Sequence, residues 1–191
     1  MSCAAQPEQL FDSIQNLHLP RYEELPEIEL YMDQVIALMQ KYLDPLLGHG
    51  SDKAITPSMI NNYVKQGAIP APQKKRYGRD HIAQLLIICI FKQIFPIPSI
   101  QAIMKNYLCR CTVSQMYNRF SETYELLGRQ TVDGTRQRWQ KLQEQGDSDD
   151  AMCNDLMVQT AMSASLNKII IENFLDRMRS DSQEGADPAQ K

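Results

Sequence analysis

No run in this sequence approaches the roughly 20 uninterrupted apolar residues that a helix needs to cross a bilayer. The densest stretch, residues 82–91, is broken by Gln84 and closed by Lys92 and Gln93. Residues 1–10 carry Glu8 and lack both a basic start and an apolar core, so no signal peptide is expected and the expected location is cytoplasmic. Cysteine is sparse: Cys3, Cys89, Cys109, Cys111 and Cys153 give an odd number without Cys-x-x-Cys spacing, which argues against a disulfide framework and a structural metal. Cys109-Arg110-Cys111 is short enough for a ligand pair, but no histidine or further cysteine lies near it, and ordinary reduced thiols are expected. A Gly-rich phosphate loop, a paired catalytic motif and metal-ligand spacing are also missing, so no enzyme activity and no cofactor are expected. His81 is read as structural.

What is present is enough to fold. The chain has 191 residues, 43% of them apolar, sufficient for a buried core in one compact unit or a small domain with a helical extension. Its formal net charge of −3 hides a strong segregation. Residues 1–50 hold two basic and eight acidic side chains, residues 51–111 nine basic and two acidic, and residues 112–191 nine basic and thirteen acidic. A basic middle between acidic flanks is expected where one segment alone faces phosphates, although chance clustering gives the same pattern.

The apolar spacing predicts helices almost throughout. After a lead-in bracketed by Pro20 and Pro26, Ile28, Tyr31, Met32, Val35, Met39, Tyr42, Leu43 and Leu46 fall on one helical face, with Gly48 and Gly50 as the stop. Thr56-Pro57 reads as an N-cap followed by proline at the first helical position, opening a short helix that Gly67 ends. Residues 67–80, with Pro70, Pro72 and Lys74-Lys75-Arg76, suit a small hairpin or wing. Asp80 is placed to cap a helix over 81–94 that is apolar nearly all round and must therefore be central. A short helix around Ile100, Ile103, Met104 and Tyr107 follows, then one carrying Val113, Met116, Tyr117, Phe120, Tyr124 and Leu127 with Gly128 as a stop or kink. The charged stretch 131–145 is a weaker helix, and a long helix over 150–179 precedes a polar tail expected to be disordered. On that helix Met157, Met162 and Met178 are expected to fill gaps in a helical interface. The fold expected is all-α with at most a two-stranded wing. Its divisions are a lead-in over 1–26, a winged helix-turn-helix over 27–111, a helical dimerisation or effector region over 112–179, and a tail over 180–191.

Particular residues carry a resemblance. Ile60-Asn61-Asn62-Tyr63-Val64-Lys65-Gln66-Gly67-Ala68-Ile69 is similar to the recognition-helix stretch of the mercury-resistance-regulator (MerR) family, with Asn61 and Asn62 where that family has Arg and Tyr. Lys75-Arg76-Tyr77 and Asp80 resemble its wing and the acidic start of its next helix, and Phe95-Pro96-Ile97 stands where it has Gly-Phe-Ser-Leu. A wider resemblance joins Leu25-Pro26-Glu27-Ile28-Glu29-Leu30-Tyr31-Met32-Asp33-Gln34-Val35, residues 59–67 and residues 81–93 to a bacterial family known only as a domain of unknown function. The two together imply a MerR-like winged helix-turn-helix core and a transcriptional regulator that binds double-stranded DNA.

The residues themselves suit that role. An Asn amide donates to and accepts from one adenine edge, so Asn61 and Asn62 are candidates for base readout, with local capping or simple exposure as the alternative. Tyr63 is either a phosphate donor or a core aromatic. Lys65, Lys74, Lys75, Arg76 and Arg79 would neutralise phosphates and release counterions, or else form an ordinary solvated turn. A homodimer is expected, because such readers usually span two half-sites about 34 Å apart, and a small-molecule effector is a further expected partner. The competing expectation is a protein-interaction module on the same scaffold that does not bind DNA.

Overall fold

The computed structural model describes residues 11, 12, 14–47 and 55–184 of the chain. The expectations about residues 1–10, Cys3, Gly48, Gly50 and the tail from residue 185 lie outside these. Among the described residues a 3-10 turn, Tyr22–Glu24, precedes six α-helices: α1 Met32–Leu47, α2 Pro57–Lys65, α3 Arg79–Phe91, α4 Ile97–Leu108, α5 Val113–Gln145 and α6 Asp149–Glu184. No strand forms among them; the pairing is limited to isolated antiparallel bridges, Leu30 with Tyr77 and Gln73 with Arg76. The all-α class expected from periodicity is the class observed. Among the described residues no helix is long and apolar enough to cross a membrane. The chain divides into two compact units, residues 6–136 and, for the most part, residues 137–191.

In the first unit α3 is the hub. Residues 82–90 are all buried, Gln84 included, so this helix has no solvent face and needs neighbours on every side. α1 packs on it through a stripe of Val35, Met39 and Leu43 and also meets α2, while α4 adds Ile100 and Met104. From α5 the Phe120 ring meets Phe91 edge to face, with centroids 5.4 Å apart.

The helix ends differ from expectation in instructive ways. Ile28 and Tyr31 precede α1 and stay exposed, because the helix starts where the Gln34 side chain accepts the Tyr31 N–H at 2.9 Å. α3 begins at Arg79 with Gly78 as its N-cap, not Asp80. The residue that reaches back is His81, whose Nδ1 accepts the Gly78 N–H at 3.1 Å, a structural use of this histidine. Asp80 sits in the first turn and accepts instead from the Tyr22 hydroxyl. Gly128 does not stop α5, which runs unbroken through the stretch read as a weaker helix. A full capping box starts it: Thr112 Oγ1 accepts the Gln115 N–H, and Gln115 Oε1 accepts the Thr112 N–H.

The lead-in is bound to α5 by a largely buried carboxylate. Arg21 donates to both oxygens of Glu125, at 3.0 and 2.7 Å, the Leu19 N–H donates to the same group at 3.0 Å, and His18 Nδ1 lies 3.0 Å away. Burial alone would raise the Glu125 pKa; the hydrogen bonds from Arg21 and Leu19 and the charge of Arg21 outweigh it and hold the carboxyl below its ordinary value. Asn118 adds a second tie, accepting the Tyr22 N–H at 2.7 Å.

The second unit closes on a small cluster of Trp139, Met152, Cys153 and Leu156, with Leu142 packed against it. Gly146, at φ +81, turns the chain after α5. Beyond the cluster α6 leaves Val158, Met162, Leu166, Ile169 and Ile170 at least half exposed, so Met162 fills no gap within the chain, and neither does the exposed Met157.

A carboxyl held below its ordinary range stabilises the fold above that range and loses its effect as pH falls through the depressed value. Glu125→Gln should therefore cost about 2 kcal/mol in urea unfolding above about pH 5, since Arg21 would lose a charged acceptor. The deficit should shrink towards zero in titrations below about pH 4. A pH-independent deficit would show that the charge plays no part.

Candidate nucleic-acid interface

Helical spacing sorts the residues of α2 onto two sides. Thr56 caps the helix by accepting the Met59 N–H, Pro57 occupies the first turn, and Ile60 and Tyr63 turn inward to full burial. Ser58, Asn61, Asn62 and Lys65 share the opposite, exposed face. Asn62 Oδ1 accepts from Gln66 Nε2 at 3.3 Å, while Asn61 and Lys65 project freely. The helix closes in a Schellman motif: the Ala68 N–H reaches the Tyr63 carbonyl at 2.8 Å and the Gly67 N–H that of Val64 at 3.0 Å, with Gly67 at φ +72. Gln101 of α4 donates to the Gln66 carbonyl at 2.7 Å and fixes this end.

Ala68 and Ile69 are buried, and the chain then emerges into a tight turn. The Arg76 N–H donates to the Gln73 carbonyl at 2.8 Å, and the two residues between, Lys74 and Lys75, have φ of +48 and +63. Positive φ at both central positions is the type I′ geometry that favours Asn-Gly, so two lysines here are strained side chains held at an exposed tip. The return arm is secured by Tyr77, whose N–H and carbonyl pair with Leu30 at 2.9 Å each. Arg76 lies over the Tyr31 ring, 5.3 Å from its centroid, and donates to the Tyr31 hydroxyl at 3.1 Å.

The predicted site residues thus divide. Asn61, Asn62, Lys65, Lys74, Lys75 and Arg76 are exposed on α2 and the turn that follows it, and none of the four cations has a carboxylate within ion-pair distance among the described residues. Tyr63 is only 3% exposed and belongs to the core, where burial pushes its phenol up to about 12. Arg79 turns inward: Nε donates to the Leu25 carbonyl at 3.0 Å, the guanidinium lies 5.3 Å from the Tyr22 ring centroid, and Nη2 pairs with Glu27 at 3.4 Å without hydrogen-bond geometry. Tyr31, read in the sequence as part of an apolar helical face, instead meets Arg76, a pairing hidden because 45 residues separate the two.

No group of three or more His, Cys, Asp or Glu side chains among the described residues is placed to hold a metal. Cys111 Sγ donates to the Tyr107 carbonyl, Cys109 is exposed, and burial pushes the Cys89 thiol up to about 11.

These features define an all-helical domain in which a short helix with a polar outer face leads through a strained cationic turn into a fully buried helix. Residues 20–127 match the family described as Domain of unknown function (DUF1836), and the chain belongs to that family. No curated protein and no solved structure matches the chain.

Lys74→Asn/Lys75→Gly should relieve the positive-φ strain and raise unfolding stability by up to about 1 kcal/mol. A lower thermal midpoint for the double variant would mean that the lysines stabilise the turn.

Proposed function

We propose that the chain is a DNA-binding transcriptional regulator whose residues 27–111 act as a winged helix-turn-helix of MerR-like type. In this reading α1 supports α2, the outer face of α2 enters the major groove, and the turn grips the flanking phosphates. The observation that carries it is the pair Lys74 and Lys75, held at strained backbone angles on an exposed tip with no carboxylate beside them. Strain of this kind persists where function favours the side chain. Asn61 and Asn62 supply bidentate groups suited to adenine, and Lys65 and Arg76 supply further phosphate contacts. Tyr63 and Arg79 act indirectly, by holding α2 and the start of α3 in place. The acidic segments on either side keep the attraction local to this face.

Two copies are the second element of the proposal. Val158, Met162, Leu166, Ile169 and Ile170 follow helical spacing along α6 and are exposed, an apolar stripe that a second chain would cover. Pairing would also present two readers to two half-sites.

Fluorescence anisotropy with mixed-sequence duplex DNA at low salt tests the first claim. With Lys65, Lys74, Lys75 and Arg76 on phosphates, log affinity should fall against log salt with a slope of about −3.6, and Lys74→Ala/Lys75→Ala/Arg76→Ala should reduce it to about −0.9. Absence of binding by the unaltered protein would favour a protein-interaction module on the same scaffold. Light scattering tests the second: the mass should be twice 21.9 kDa and revert to a single chain in Met162→Glu/Leu166→Glu. A single-chain mass for the unaltered protein at micromolar concentration would remove the dimer.

A further inference from the structure

A cavity of about 200 Å³ opens where α3, α4 and α5 meet. Its walls are almost wholly apolar and aromatic, including Ile87 and Phe91 of α3, Ile103 of α4, and Phe120 and Tyr124 of α5. The rings are mutually fixed: Phe120 stacks on Tyr124 with centroids 5.8 Å apart and meets Phe91 at right angles. Arg119 is the one charged residue in the lining, beside the hydroxyl-bearing Thr123. Arg119 is exposed and has no carboxylate within ion-pair distance among the described residues. The other arginines at the lead-in face of this unit, Arg21, Arg79 and Arg136, are each paired with an acid.

We infer that this cavity binds a small organic anion with an apolar, ring-sized body and a single carboxylate. The body replaces empty space between α3 and α5, and the carboxylate lies at the edge against the Arg119 guanidinium, which accommodates a planar two-oxygen group. The size fits, because an apolar cavity of about 150 Å³ already admits benzene, and the space here takes a ring with a short chain. Phosphorylated or multiply charged ligands do not fit a lining with one cation and otherwise apolar walls. The inference goes beyond DNA recognition and stands on the packing of the domain alone.

Calorimetric titration of the full chain without DNA tests it, with phenylbutyrate as the acid and phenylbutyramide as its neutral counterpart. Phenylbutyrate should bind at one site per chain with a Kd of about 1 mM or tighter. The amide should bind about tenfold more weakly. Arg119→Gln, a change at an exposed position, should abolish that preference while keeping the affinity for the amide. Ile103→Trp, which fills the space, should abolish binding of both, with an unfolding scan confirming that it folds. The inference is overturned if the acid does not bind, if acid and amide bind equally, or if Arg119→Gln keeps the preference. Because DNA is absent from the titration, its failure leaves the regulator proposal standing, and failure of DNA binding leaves the cavity standing.

Discussion

A helix without a polar side governs the first unit. Residues 82–90 of α3 are buried to the last one, and each buried Ile or Leu among them contributes roughly 2 kcal/mol through removal from water. No surface position satisfies such a helix. The chain must return to it again and again, which it does with α1, α4 and the aromatic residues of α5. The positions of α2 and the turn are consequences, since both lie on the path between α1, which is obliged to pack on α3, and α3 itself.

Apolar burial is indifferent to register, and a second kind of contact supplies it. Glu125 accepts from Arg21 and from the Leu19 backbone, and Asn118 accepts from the Tyr22 backbone, so the lead-in can dock on α5 in one alignment. A carboxylate in that place is costly unless every one of these donors arrives together. Arg79 performs a similar service at the start of α3 by reaching back to the Leu25 carbonyl and Glu27. Arg21, Glu125, Asn118 and Arg79 are thereby committed to alignment.

The basic excess of residues 51–111 is correspondingly narrower in space than in sequence. Arg79 faces inward and is matched by Glu27, whereas Lys65, Lys74, Lys75 and Arg76 remain in solvent. A cation on a strained exposed turn gains nothing from packing, and its field reaches about 10 Å before ordinary salt screens it. The apolar cavity beside Arg119 has the same character on a smaller scale, an uncommitted charge at the rim of space that the fold leaves empty.

Much of this was legible in the residues alone. Three-and-four spacing disclosed α1 and α6, Thr56-Pro57 and Gly67 marked the ends of α2, and an apolar run interrupted by Gln84 alone announced that α3 is central, because periodicity and capping are properties of neighbouring residues. Gly128 misled, since a glycine's helical penalty of about 1 kcal/mol is overridden when residues on both sides, such as Glu125 and Val132, are held by tertiary contacts. Tertiary structure alone decided that Tyr63 packs, that Arg79 braces, that Arg76 leans on Tyr31 and that Glu125 is the anchor. Those outcomes depend on partners 45 to 107 residues away, or on which side of a short helix meets the core. Local pattern records how the chain coils; which charged groups are left free is settled only when distant segments compete for them in three dimensions.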